Sequence, residues 1–324
     1  MTTPWCLVTG GAGFVGARLI RTLTDLGHDR ILLVDSYRRR PDKLQGAATL
    51  RVGDFLDYFD VDHLDVAGLD ARLPPLAAIF HIGAWSDVLE RNVTKVLRYN
   101  FEHSRKWIEL GQVRRVPVIY ASSSALYGTS GVCRTDVPDC ERPFNAYGYS
   151  KLLVDRWVHS HLPAFTAPVV GLRFFNVFGP GEGHKRHNAS IPTRFFNFLR
   201  ERGYIELFAG DIRRDYVEVG DVARVIVDAW QSPRPSGIYN LGSGVAISHR
   251  EIADEALVVA RGAGLSVKGD PIRPIPIPEA LNGRFQFYTK ADGVPAWIRT
   301  FTADPLSKMT TYWKDLASTA EGAQ

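Results

Sequence analysis

Cysteine is scarce: the 324 residues contain three, Cys6, Cys133 and Cys140. An odd number without metal-type spacing argues against both a disulfide framework and a zinc site, so all three are read as thiols, although Cys133 and Cys140 flank a loop. Long apolar runs are lacking too. None approaches the about 20 residues needed to cross a bilayer. The N-terminal Met-Thr-Thr-Pro-Trp-Cys has no basic segment leading into an apolar one. No signal peptide is therefore expected, and the cytoplasm is the default location. Charge of one sign is missing as well, the formal balance being only +4. No basic stripe interleaved with aromatics runs through the chain, which excludes a nucleic-acid footprint and leaves local clusters such as Arg213-Arg214 to meet phosphates. The histidines His28, His63, His81, His103, His159, His161 and His249 show no metal-ligand spacing, so no metal is expected.

What remains is an ordinary globular composition, 45% apolar and 23% charged, on a chain long enough for one large domain or two modest ones. Short β-branched runs alternate with amphipathic stretches through the first half. Strands are expected at Cys6–Thr9, Ile31–Val34, Leu50–Val52, Ala78–His81, Val116–Ala121 and Val169–Phe174, with a helix from Phe14 to Leu26. Such alternation implies right-handed crossovers and a parallel sheet covered on both faces. After about Asn176 the texture becomes rich in Gly, Pro, His and Arg. The run Pro271–Pro278 cannot be helical, since proline lacks the donor and blocks the preceding turn. Gly237–Gly242 reads as a strand returning to the main sheet. The fold class expected is α/β: a Rossmann-type doubly wound parallel sheet with a smaller mixed α/β C-terminal substrate domain. The dinucleotide-binding domain is expected over 1–175 plus about 214–245, and the substrate-binding domain over about 176–213 and 246–324.

Gly10-Gly11-Ala-Gly13-Phe14-Val15-Gly16 follows the first strand and opens the first helix. Glycines there let the backbone approach a pyrophosphate at a helix N-terminus, whose N–H groups favour anions. Asp35, after the second strand, is placed to bind an adenosine ribose and favours NAD. Arg38, Arg39 and Arg40 just behind it suit the 2′-phosphate of NADP equally well, or a solvated loop, so the dinucleotide stays open. Further on, Tyr147 and Lys151 are four apart and share a helical face. An ammonium beside a phenol favours phenolate and makes tyrosine a usable acid/base near neutrality.

The glycine loop, Ser122-Ser-Ser-Ala-Leu-Tyr-Gly128 and Tyr147-x-x-x-Lys151 resemble the signature of the extended short-chain dehydrogenases/reductases, and the likeness spans nearly the whole chain. The resemblance implies a tightly held NAD or NADP contacting Gly10, Gly11, Gly13, Phe14, Val15, Gly16, Asp35, Ser36, Arg38, Asp54, Ile82, Gly83, Ala84, Trp85, Asn100, Tyr147, Lys151 and Val177. It makes Ser123, Tyr147 and Lys151 catalytic, with Ser124 beside them. Arg173-Phe-Phe-Asn176 and Arg214-Asp-Tyr-Val-Glu are similar to family segments at the nucleotide-sugar site, which implies substrate contacts at Ser123, Ser124, Asn176, Phe208, Ala209, Gly210 and Arg214.

Gly181-Glu-Gly183-His184-Lys185, Ile82–Ser86, Tyr239–Gly244 and Gly283–Asp292 are closer still to the branch of the family that inverts carbon 6 of ADP-heptose. That likeness makes Lys185 a second acid/base, which suits inversion through oxidation and re-reduction, because both faces of the carbon must be served. A phosphate-binding or solvated role is the plainer reading of such a lysine. The chain departs from the branch at three expected substrate contacts: His187 replaces a small serine, Arg194 a histidine and Phe285 a tyrosine. These changes bear on substrate identity and leave the redox set intact. The expected protein is thus a homo-oligomeric epimerase of a nucleotide-activated sugar, with no membrane or nucleic-acid partner. Its rivals are a 4-epimerase, a dehydrogenase or reductase on the same scaffold, and a non-catalytic dinucleotide sensor.

Overall fold

The runs richest in β-branched and large apolar residues become strands with both faces covered. In the computed structural model, which describes residues 3–38, 41, 43–232, 234–279 and 286–321, they are β1 (Trp5–Thr9), β2 (Ile31–Asp35), β3 (Asp54–Asp57), β4 (Leu76–His81), β5 (Val118–Ser123) and β6 (Val169–Phe174). The side chains at 44, 45, 184, 186, 187 and 319–321 also lie outside the described set. With β10 (Gly237–Leu241) these strands form a seven-stranded sheet in the order β10-β6-β5-β4-β1-β2-β3. Every pairing from β3 across to β6 is parallel. The order reverses beside β1, the place where open α/β sheets leave a crevice at the carboxyl ends of their strands.

The crossovers are α1 (Phe14–Asp25), α2 (Lys43–Ala47), α3 (Phe59–Asp62), α4 (Val66–Arg72), α5 (Val93–Leu97), α6 (His103–Arg114) and α7 (Ala146–His161), with α9 (Val219–Gln231) leading back to β10. Leu7, Leu32, Ile79, Trp107, Ile108, Val154 and Val158 meet in one buried cluster between sheet and helices. The third strand lies later than Leu50–Val52. Leu50 instead donates its N–H to the Ala47 carbonyl, closing the turn after α2, and Phe55 and Leu56 take the places beside Leu33 and Val34. Similarly β5 starts at Val118 because the Val116 N–H bonds Gly111 at the end of α6.

The chain clusters into two compact units: 1–126, 143–174 and 220–240 form one, and 127–142, 175–219 and 241–324 the other. The second unit contains β7 (Asn176–Phe178), α8 (Ile191–Arg202), β8 (Ile205–Phe208), β9 (Arg213–Glu218), β11 (Ala246–Ser248), α10 (His249–Gly262), β12 (Ile272–Ile275), α11 (Ala296–Thr302) and α12 (Pro305–Glu321). Its strands form a β11-β9-β7 sheet and a β12-β8 pair, in which β12 comes from the proline-rich run. Phe178, Phe196, Ile205, Ile252 and Trp313 fill its own core. All three cysteines are buried thiols outside any disulfide. Among the described residues no helix is long and apolar enough to cross a membrane.

One buried carboxylate ties β5, β6 and α7 together. Asp155 accepts hydrogen bonds from the Tyr120 hydroxyl at 2.9 Å, the Ser122 hydroxyl at 2.8 Å and Arg173 Nε at 2.8 Å. Gly171, under Tyr120, has no side chain because a Cβ there would collide with the phenol ring. Removing one partner of a buried ion pair leaves the other charged and unsolvated, at a cost of about 3–5 kcal/mol. Asp155→Ala is therefore expected to lower the urea unfolding midpoint sharply with an unchanged slope. A midpoint within error of the native one would show that the pair contributes nothing.

Candidate active site

The turn from β1 into α1 determines what can bind there. Gly10 has φ of +68° and a Cβ on it would lie 2.5 Å from Gly83 Cα, so only glycine lets this loop close against the segment after β4. Gly16 packs on the Gly10 carbonyl, and Gly11 lies against Leu33 and Ile20. The N-cap of α1 is Gly13, which supplies no side-chain cap, and no acidic residue occupies the first turn with Phe14 and Val15. A helix N-terminus lined by glycine and without a cap fits a dinucleotide pyrophosphate. The Asp35 carboxylate accepts the Ala12 N–H at 3.0 Å and the Ser36 N–H at 2.7 Å, and pairs with Lys43 at 2.8 Å. Arg38 pairs with Asp60 at 2.9 Å, while Arg39 and Arg40 lie outside the described residues. Asp54 is exposed at the start of β3 and accepts from the Phe55 N–H.

The segment after β4 is held by a buried polar chain. Thr9 Oγ1 meets His81 Nδ1 at 2.8 Å, His81 Nε2 meets Ser104 Oγ at 3.0 Å, and Ser104 donates to the Asn100 carbonyl. Burial, aided by the Lys151 charge, pushes the His81 imidazole down to about 3, so it stays neutral. Ile82 and Gly83 donate their N–H groups to Thr9, and Ala84 is exposed beyond them. A short π-helical turn, Arg98–Glu102, turns Asn100 inward. There its side chain accepts the Trp85 N–H at 2.7 Å and donates to the Trp85 carbonyl and to Ser150 Oγ. Lys95 Nζ sits 3.5 Å over the Trp85 ring, which stacks on Tyr99.

The catalytic candidates meet in the same unit. Asn145 caps α7 by accepting the Gly148 N–H, and Gly148 lets the helix approach Ala125, whose carbonyl a Cβ would meet at 2.7 Å. That approach brings Tyr147 to the end of β5. Burial raises the phenol's pKa, and the hydrogen bond with Ser123 opposes this by lowering it. Ser123 Oγ also accepts the Ala125 N–H at 3.1 Å. Ser122 is committed to Asp155, and Ser124 is buried beside it. Lys151 is fully buried and donates to the Ala121 carbonyl at 2.7 Å. Burial brings its ammonium down to about 8, with Asp155 acting against the fall. The arrangement can pass a proton between the Tyr147 hydroxyl and a substrate oxygen, with Ser123 beside it.

The second unit holds the remaining candidates. Asn176 donates to the Asp215 carbonyl at 2.8 Å, and Val177, next along β7, pairs with Val217. Lys185 lies in a 3-10 turn, 3.5 Å from Glu182. Burial lowers its pKa and Glu182 raises it. Glu182 is buried and accepts from the N–H groups of Gly179 and Ser190 and from the Ser190 and Thr193 hydroxyls, fixing the loop that carries the lysine. Phe208 ends β8, Ala209 bonds Ile275, and Gly210 follows with φ of +108°. Arg214 is nine-tenths buried and bonds Gln286 at 3.2 Å; desolvation brings it down to about 10. Arg194 is partly buried, which lowers its pKa as well. The His187 side chain and all of Phe285 lie outside the described residues.

Two residues escaped the sequence reading. Asp155 lies one turn beyond Lys151, and that i,i+4 spacing was its visible signal. His249, considered only for metal spacing, proves to be buried at the start of α10.

Comparisons with known proteins bear on the family and the fold. Residues 6–242 match the model of the NAD dependent epimerase/dehydratase family. An ADP-L-glycero-D-manno-heptose-6-epimerase of Alkalilimnicola ehrlichii is 41% identical over 296 residues, 88% of either chain. The crystal structure of the Helicobacter pylori ADP-L-glycero-D-manno-heptose-6-epimerase is 28% identical with a TM-score of 0.80, covering 98% of this chain and 96% of the other. MoeE5, solved in complex with UDP-glucose and NAD, is 26% identical with a TM-score of 0.73, over 98% and 99% of the chains.

Tyr147→Phe deletes one oxygen, should leave stability nearly unchanged, and is expected to lower turnover by ~10²–10⁴-fold. Near-native turnover would remove Tyr147 from the chemistry. Since the Ser123 hydrogen bond lowers the phenol's pKa, Ser123→Ala should move the limb of the pH-rate profile that reports phenol ionisation to higher pH. An unmoved limb would mean that Ser123 does not act on Tyr147.

Proposed function

The chain belongs to the NAD-dependent epimerase/dehydratase family, and we propose that it inverts carbon 6 of ADP-heptose by transient oxidation and re-reduction. The observation that carries the reading is the buried Ser123–Tyr147–Lys151 group beside a glycine turn suited to a dinucleotide. When bound, NAD supplies a reversible acceptor for the hydride of the sugar carbon. Tyr147 takes the proton of the substrate hydroxyl, Ser123 hydrogen-bonds the same oxygen, and the Lys151 charge favours the phenolate that results. The ketone presents its other face for reduction. An acid/base group must then serve that face, and Lys185 is the group proposed, its pKa lowered by burial against the opposing effect of Glu182. Net redox change is zero, so the dinucleotide is retained between turnovers. A homo-oligomer acting in the cytoplasm completes the reading.

A second reading follows from the Lys185–Glu182 pair. A lysine held by a carboxylate also suits a loop or phosphate contact, and the same scaffold would then invert carbon 4 or act as a dehydrogenase. Lys185→Met keeps side-chain length without charge. On the first reading it blocks interconversion of the two carbon 6 isomers of ADP-heptose, followed by NMR, while folding and dinucleotide content stay native. Normal turnover by this variant would leave Lys185 a loop residue and move the second reading ahead. Denaturing the purified protein should release NAD(P) in near-stoichiometric amount, whereas cofactor-free protein with only millimolar dinucleotide affinity would contradict a retained cofactor.

A further inference from the structure

Glu182 is 1% exposed, and its carboxylate gathers donors from the loop after β7, from the start of α8 and from the turn carrying Lys185. Oε1 accepts the Gly179 N–H at 3.2 Å, the Ser190 hydroxyl at 2.7 Å and the Thr193 hydroxyl at 3.0 Å. Oε2 accepts the Ser190 N–H at 2.7 Å and lies 3.5 Å from Lys185 Nζ. The Thr193 hydroxyl also meets the phenol of Tyr312 on α12 at 3.1 Å. Burial pushes that phenol up to about 12, with Glu182 adding to the rise and the Thr193 bond and Arg200 opposing it, so Tyr312 stays neutral. Ser190 is the N-cap of α8, whose first turn has no acidic residue of its own. Glu182 thus takes the place at that helix end where a negative charge is favoured.

All of those donors but one are neutral. Among the described residues Lys185 is the one cation within ion-pair distance of Glu182, and a carboxylate cut off from water is costly unless a charge compensates it. The lysine needs the carboxylate in return. Its side chain is 27% exposed, enough for water to reach it, yet burial lowers its pKa while Glu182 raises it. The proposed epimerisation makes that opposition matter. In one turnover the C–H bond breaks with its electron pair going to the nicotinamide, and the hydroxyl proton goes to Tyr147. The hydride then returns to the other face of the carbon, and a Lys185 N–H bond breaks to give the carbonyl oxygen its proton. The electrons balance, but Tyr147 has gained a proton and Lys185 has lost one. Before the next turnover the tyrosine must release a proton to water and the lysine must take one up. Burial alone hinders that uptake, and a fixed negative charge beside the amine favours it.

We propose that Glu182 is the positioning residue of the second acid/base: it holds Lys185 in place through one buried ion pair and restores the lysine's charge after each proton delivered. It acts through Lys185 rather than on the reacting atoms. Its four neutral donors fix the carboxylate while leaving its charge to the lysine. This rests on the reading of Lys185 as the acid/base of carbon 6 inversion; the role of Glu182 is the addition.

Competitive acetylation of the purified full chain with acetic anhydride across a pH series, read by mass spectrometry of the Lys185 peptide, gives the titration midpoint of the lysine. Turnover of the two carbon 6 isomers of ADP-heptose is followed in parallel. Glu182→Gln keeps the shape of the side chain without its charge. It should move the Lys185 midpoint about one pH unit lower, the effect of losing an opposite charge at this distance. At a pH above the native midpoint turnover should then fall about tenfold with KM unchanged, since that is the charged fraction lost per pH unit. Glu182→Asp keeps the charge but draws it back, and should restore part of both. An unmoved midpoint in Glu182→Gln overturns the assignment of Glu182 and leaves the carbon 6 reading to the Lys185→Met test. A midpoint that rises toward the ordinary lysine value also overturns it, because the carboxylate then only kept the turn closed, and so does a failure of both variants to fold. Where Glu182→Asp alone folds, a midpoint below the native one supports the proposal and a native midpoint overturns it. A lowered midpoint with native turnover takes Lys185 out of the chemistry, so the carbon 6 reading falls and this role with it.

Discussion

Everything near Tyr147 depends on keeping two opposite charges in a place without water. Lys151 and Asp155 are one turn apart on α7, both buried, and neither can be left without compensation. Lys151 is satisfied by the Ala121 carbonyl at the end of β5, and Asp155 by Tyr120, Ser122 and Arg173 from β5 and β6. The helix is thereby fixed in register against β5, which ends at Ser123, and β6. Gly148 and Gly171 are the steric counterpart, since a side chain at either would push apart the elements that these bonds hold. Burial keeps His81 neutral, and the Lys151 ammonium acts in the same direction on the polar chain through Thr9, His81, Ser104 and Asn100.

The second unit solves a similar problem with two other carboxylates. Glu182 gathers four donors and thereby fixes the turn carrying Lys185. Asp215 accepts the N–H groups of Ser243, Gly244 and Ala291 and the Ser243 hydroxyl, joining β9 to the loops on either side. Burial nonetheless lifts its pKa to about 6, because desolvation outweighs the four donors. Each acid spends oxygens on backbone and hydroxyl donors, so the turn bearing Lys185 and the strand bearing Arg214 are held in place.

Much of this was legible in the residues. The Gly10–Gly16 loop, Asp35 and the Tyr147–Lys151 spacing stood out as candidates because they are local patterns, a turn or one helical face. The alternation of strand and helix patterns was enough for the doubly wound sheet. The third strand was misplaced because Leu50-Arg-Val has the composition of a strand while Asp54-Phe-Leu-Asp does not. The register beside β2 and the turn closed at Ala47 decided in favour of the latter.

By itself, then, the sequence determined the fold class, and it singled out the glycine turn and the Tyr147–Lys151 pair as candidates, since these depend on short-range periodicity and spacing. It also excluded a disulfide framework and a membrane-spanning helix. Only the tertiary structure decided which polar groups are buried and whether they find partners. Ser122 and Ser123 are adjacent and identical in type, yet one is committed to Asp155 and the other acts on Tyr147. His81 and His249 are both buried and neutral, yet one is bonded at both nitrogens while the other has an unengaged Nε2. Burial and hydrogen bonding are pairwise properties of residues distant along the chain, so no local pattern contains them.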